Sequence, residues 1–125
     1  MGDYTKLNLK EVEDQAKSFG LDGMQARFPH GELGAGVSYQ KLDPNFRMPF
    51  GHQHEQAEEV YVVLFGSGRM KLDDDIVELE QWDVIRVSPP VMRGAEAGPD
   101  GLELLAVNSS PHSKDTEPVP GWWSD

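Results

Sequence analysis

What most constrains the fold of this chain is its punctuation. Over residues 60–108, short runs of β-branched and aromatic residues are cut repeatedly by glycine, proline and aspartate, and none is long enough for an amphipathic helix. Residues 60–65 read as a strand and Gly66-Ser67-Gly68 as a tight turn. Residues 69–72 and 76–79 read as a hairpin about Asp73-Asp74-Asp75. Glu80-Gln81-Trp82 is another turn, residues 83–87 are a strand stopped by Ser88-Pro89-Pro90, residues 93–101 form a glycine-rich loop or hairpin, and residues 102–108 are a last strand. Upstream, residues 24–30 and 34–42 are further strand candidates, the second closed by Asp43-Pro44-Asn45. Short strands at this spacing, with no helical crossover pattern between them, predict an all-β barrel or jelly roll.

One stretch departs from this rhythm. Residues 8–20 predict a short helix, with Asn8 as N-cap, Glu11 three residues on, an apolar stripe of Val12, Ala16 and Phe19, and Gly20 as the stop. The chain thus divides into an N-terminal segment with a short helix (1–20), the barrel (21–110) and a tail (111–125), in which Trp122 and Trp123 pack onto the barrel or a partner subunit. At 125 residues it has the size of one domain.

Composition excludes several classes of function. The chain has no cysteine, which rules out disulfides, thiolate catalysis and Cys-type zinc sites. Its net charge of -11 argues against a nucleic-acid backbone or an anionic membrane as partner. No apolar run approaches membrane-spanning length and the first residues lack the apolar core of a signal peptide, so the expected location is the cytoplasm. The aspartate run reads as a solvated turn, because a calcium loop needs more ligands at defined spacing.

The chemistry concentrates in Pro49 to Gly66. His52 and His54 lie one residue apart, so on an extended strand they point the same way. Glu59 follows at the start of the β-rich run. Two imidazoles and a carboxylate are the donors of a 2-His-1-carboxylate site for a divalent transition metal. Glu58 stands next to Glu59 with opposite parity. Tyr61, Val63 and Phe65 share the parity of Glu59 and are expected to line the interior, with Tyr39 as a further candidate. His30 and His112 lie outside this stretch and become ligands only if the fold brings them close.

This stretch resembles the first motif of the cupin superfamily: His52-x-His54, four residues, Glu59, six residues, Gly66. Phe46 stands where that motif has its leading glycine. The second motif is degenerate. With fifteen residues between it and Gly66, Trp82 takes the place of its glycine, Ser88 of its proline, Pro90 of its second glycine, Arg93 of its histidine and Ala97 of its asparagine. The resemblance implies a small single-domain jelly roll, often dimeric, with its site inside the barrel mouth. It also implies that Arg93 replaces the fourth metal ligand, and a guanidinium stays protonated and does not ligate.

Two functional readings follow. In the first, the chain binds a small molecule and holds Mn, Fe, Ni or Zn through His52, His54 and Glu59, with Arg93, Tyr61, Phe65 and Tyr39 shaping the substrate pocket. In the second, it is a metal-free ligand-binding or regulatory module. Arg93 discriminates between them. Paired with Glu59 it opposes a metal; pointing past the histidines it offers a clamp for an anionic substrate. No inward residue besides the candidate ligands is an unambiguous general base, so catalysis, whether as oxygenase, isomerase or lyase, stays open. Exposed strand edges and the tryptophan pair point to a homodimer.

Overall fold

A computed structural model describes residues 3–29, 33, 35–54, 57–109 and 117–125. His30 and His112 lie outside the described residues. The described chain is almost entirely β: β1 (Met24–Arg27), β2 (Gly36–Leu42), β3 (Phe50–Gln53), β4 (Glu59–Leu72), β5 (Asp75–Glu80), β6 (Val84–Val87), β7 (Arg93–Asn108) and β8 (Glu117–Pro120).

The long strands β4 and β7 pair antiparallel along most of their length and form a central ribbon. At one end of the ribbon, β7 continues to β2 and β1, and β4 to β6. At the other end, β7 continues to β3 and β8, and β4 to β5. The sheet curls on itself, and its inner face buries one core. Leu42, Tyr61, Val63, Leu102, Leu104 and Ala106 come from the first end, and Met48, Met70, Leu79, Ala95 and Ala97 from the second.

Two glycine-rich stretches, one that reads as a turn and one as a loop or hairpin, are strand interiors. Gly66-Ser67-Gly68 lies within β4 and Gly94 to Gly101 within β7, because each strand absorbs its irregularity as a bulge while pairing with the other. The pairing slips between Val63 and Phe65 and again between Gly66 and Gly68. Gly66 has φ +83°, and a Cβ there would lie 2.0 Å from the Gly101 carbonyl oxygen, so the crossing needs a bare backbone.

The N-terminal helical stretch is reduced to two 3-10 turns, Leu9–Glu11 and Ala16–Phe19. Its end signals act as anticipated: the Asn8 side chain accepts from the Lys10 N–H, and Gly20 closes the second turn at φ +74°. What interrupts it is sheet pairing. Asp14 bridges to Arg27, and its carboxylate accepts from the Ala16 and Ala26 N–H groups. The segment therefore lies along the outer edge of β1.

On the outer face of the second end, the chain from Trp122 to Asp125 lies across the sheet. A Cβ on Gly51 would stand 2.6 Å from the Trp122 ring and one on Gly94 3.1 Å, so two glycines form its seat. The Lys71 ammonium sits 3.9 Å from the Trp122 ring centroid and donates to the Trp122 carbonyl at 2.7 Å. Trp123 donates to the Met48 carbonyl, with the Arg47 guanidinium 4.4 Å from its ring centroid. Arg47 and Arg69 both bond Glu96 and Asp125 at 2.7–3.0 Å.

Those contacts set an acid limit. Hydrogen bonding from Arg69 lowers the Asp125 carboxyl, while burial raises that of Glu96 and the two arginines more than reverse it. Both groups take up protons more readily unfolded, where their ordinary values are 3.8 and 4.5. Their stabilisation is complete above about pH 4.5 and is lost progressively as pH falls from there toward their own lowered values. Thermal unfolding followed by circular dichroism across this range is expected to show Tm falling below about pH 4.5, with a shallower fall in Arg69→Met. Equal slopes in the two proteins would remove these ion pairs from the account.

Candidate functional site

Strand parity carries the site. In β4, Glu59, Tyr61 and Val63 alternate inward and pair with Asn108, Ala106 and Leu104 of β7. In β3, Gly51 faces the Trp122 seat, so His52 faces the interior, opposite Arg93 of β7. His54, just past β3, is fixed by its N–H donating to the Pro89 carbonyl at 2.9 Å.

The donor atoms of His52, His54 and Glu59 lie within 4.8 Å of one another. The His54 and His52 Nε2 atoms stand 3.6 and 3.9 Å from Glu59 Oε1. That oxygen has closer partners. Arg93 donates to it at 3.0 Å, and the Tyr61 hydroxyl donates to it in a short hydrogen bond. Arg93 is 1% exposed, Tyr61 3%, His54 3% and Glu59 6%, whereas the His52 side chain keeps 15%. The cluster is therefore enclosed, with His52 at its wet edge. Two surface grooves, one beside Asp14 and Arg27 and the other beside Arg69 and Glu96, contain none of these residues.

Burial favours the neutral form of Glu59, but His52, His54 and Tyr61 outweigh it and hold the carboxyl well below its ordinary range. The Tyr61 hydroxyl is pushed far up by burial and by the Glu59 charge, so it stays protonated and acts as a donor.

The structure brings together His52, His54, Glu59, Arg93 and Tyr61 of the residues singled out above. It does not bring Phe65 or Tyr39. Phe65 is 50% exposed, because the extra residue at the Val63/Phe65 bulge turns it onto the outer face beside Glu103. Tyr39 pairs with Leu105, one register step from the interior row of Ser38 and Ala106, so it faces outward. It is buried there with its hydroxyl on Glu103 and the Lys10 ammonium 4.6 Å from its ring centroid. Glu58 also faces out and pairs with Arg86 at 3.2 Å. The sequence reading missed the cage around Arg93. Its Nε donates to the Val91 carbonyl, and its Nη2 to the carbonyls of Ser88, Pro89 and Val91, at 2.8–3.1 Å. Only the Pro-Pro stop hinted at a stiff turn there.

The donor types and their convergence suit a divalent ion, but a resident positive charge opposes one. The oxygen that both imidazoles face is already committed to Tyr61 and Arg93, and a fixed positive charge lies against it. Arg93 is likewise no anion clamp, since its donors go to Glu59 and backbone carbonyls.

A curled antiparallel sheet with two histidines and a glutamate on its inner wall defines a small cupin-type barrel, and solved structures agree. A cupin protein from Bacteroides fragilis is 25% identical, with TM-score 0.66, over 100% of this chain and 91% of that one. Streptomyces PAC13 with uridine is 18% identical with TM-score 0.73, over 93% and 91% of the two chains. Oxalate decarboxylase of B. subtilis is 16% identical with TM-score 0.77, over 95% of this chain and 34% of that one. The chain belongs to the cupin superfamily. An uncharacterized protein of Methanocaldococcus jannaschii, MJ1618, is 35% identical over 68 residues, which is 53% of this chain and about half (54%) of that protein. Protein-family models match no part of the chain. No helix among the described residues is long and apolar enough to cross a membrane.

Proposed function

We propose that this chain is a ligand-binding cupin that receives a neutral, hydrogen-bonding small molecule at the His52 edge of the cluster. The observation that carries this reading is the set of ionisable side chains, Glu59, His54 and Arg93, held 1–6% exposed within an otherwise apolar barrel, with His52 reaching solvent beside them. Burying such groups is costly, and so dense a polar set in a small core is a mark of a site. Charge supports a neutral ligand: Arg93 balances Glu59, and the chain's net charge of -11 repels anions. The similar barrel of PAC13, solved with uridine, makes a nucleoside a reasonable first probe.

His52 would exchange hydrogen bonds with the ligand, and Tyr61 would hold Glu59 in place beneath it. The alternative is a small-molecule site built on Mn, Fe, Ni or Zn held by His52, His54 and Glu59. It is favoured by the convergence of those three donors, and it requires Arg93 to leave Glu59.

The test is a thermal-shift screen of neutral polyols and nucleosides, uridine included, on wild type and His52→Ala. A ligand at about 100 times its Kd is expected to add about 2.7 kcal/mol to wild-type stability, and much less to the variant. Equal stabilisation of both proteins, or none by any compound, would overturn the assignment.

A further inference from the structure

We infer that Arg93 is the resident cation of this barrel, and that its guanidinium closes the His52–His54–Glu59 cluster to divalent metals, which replacement of Arg93 by a neutral side chain would admit. The inference deepens the ligand-site reading above and shares its cluster, but it concerns metal occupancy alone.

Position is the first obstacle to an ion. A metal bonded to the two Nε2 atoms and a Glu59 oxygen needs bonds of about 2.0–2.2 Å to each. Both imidazoles face Glu59 Oε1, at 3.6 and 3.9 Å. That oxygen accepts from Arg93 Nη1 at 3.0 Å and from the Tyr61 hydroxyl. An ion bonded to Oε1 would therefore lie within about 5 Å of the guanidinium nitrogen, a bond length plus the existing contact. In a water-poor interior, a like charge at that distance strongly opposes entry.

Next comes mobility. A surface arginine could swing aside, but Arg93 is 1% exposed and its far side is tied to three backbone carbonyls. The Pro89 carbonyl also accepts from the His54 N–H, so one stiff Ser88–Val91 turn fixes both the cation and a histidine. Moving Arg93 away would leave those carbonyls and the Glu59 charge without their partner, a penalty that an entering ion would have to overcome.

The last point is charge balance. Arg93 lies 3.0 Å from Glu59 and balances its charge, which is the electrostatic task a bound cation would otherwise perform.

The experiment uses the full chain, purified without an affinity tag, as wild type, His54→Ala, Arg93→His, Arg93→Gln and the double variant Arg93→His with His54→Ala. Each is incubated with Mn2+, Ni2+ or Zn2+ and desalted, its metal is counted by mass spectrometry, and its affinity is measured by calorimetry. Wild type is expected to retain no stoichiometric metal. Arg93→His is expected to bind an ion about 10- to 100-fold more tightly than wild type, and the gain should disappear with His54→Ala. Arg93→Gln carries the test if the histidine variant does not fold, because it too removes the charge. Stoichiometric metal in wild type that is lost in His54→Ala would overturn the inference, and this arm needs no Arg93 variant. Folded Arg93 variants that gain no metal would overturn it as well. Since no small molecule is present, a failed ligand screen and a failed metal result remain separate.

Discussion

Replacing Arg93 by methionine is expected to destabilise the protein by about 3–5 kcal/mol, the range seen when one partner of a buried ion pair is removed. The substitution keeps much of the volume and removes the charge. Glu59, 6% exposed, would lose its contact with Arg93, and the carbonyls of Ser88, Pro89 and Val91 would lose donors at 2.8–3.1 Å. Urea denaturation reads the loss directly. The second half of the expectation is coupling: Glu59→Gln in the same chain should restore about 1–3 kcal/mol, because a neutral amide no longer needs the cation. If the two substitutions simply add, the pair is not the electrostatic unit that the geometry describes.

Gly66→Ala is expected to be comparably damaging for a different reason. The new methyl would lie 2.0 Å from the Gly101 carbonyl oxygen, which belongs to backbone and cannot rotate away, at a φ of +83°. Gly20→Ala is its control. That glycine has φ +74° with nothing within 4 Å, so only conformational strain is at stake, about 1 kcal/mol. Gly66→Ala adds a clash between paired strands, and a loss of about 3–4 kcal/mol is expected by chemical denaturation, in the range of severe backbone and packing lesions. Similar losses at the two positions would mean that the β4–β7 crossing relaxes around the methyl. The bulge would then not be fixed by the bare backbone.

The contrast between these glycines bears on what could be read from the chain. Residue spacing put His52 and His54 on one face, and the motif spacing added Glu59; the structure brings the donor atoms of all three within 4.8 Å of one another. Spacing failed at Phe65, since one unpaired register step reverses parity and nothing local marks it. Parity also relates residues within a strand without saying which face is inside, and Tyr39 fell on the other side of that ambiguity. Gly66-Ser67-Gly68 looked like a turn and residues 93–101 like a loop or hairpin, because glycine permits turns and close strand crossings equally well. Only the partner strand distinguishes them. The N-terminal stretch had good helix ends, but Asp14 gained more from the edge of β1 than from a short isolated helix. Arg93 was identified as the discriminating residue, while its cage depends on carbonyls whose direction no residue type encodes.

The seat of Trp122 links two residues that are far apart in the chain. Gly51 and Gly94 each precede or follow a site residue by one position, His52 and Arg93 respectively, so the indole presses on the back of the wall whose inner side carries the cluster. The β3 strand has a single registered pair with β7 and four with β8, the strand just before that indole. Hairpin β4–β5 closes a short loop and is expected to form early, whereas β3 must wait for chain from the opposite end of the sequence. His52 is therefore expected to take its place late in folding. A destabilised or partly folded molecule is expected to expose its histidines before Arg93 meets Glu59, which would leave them open to metal ions during refolding.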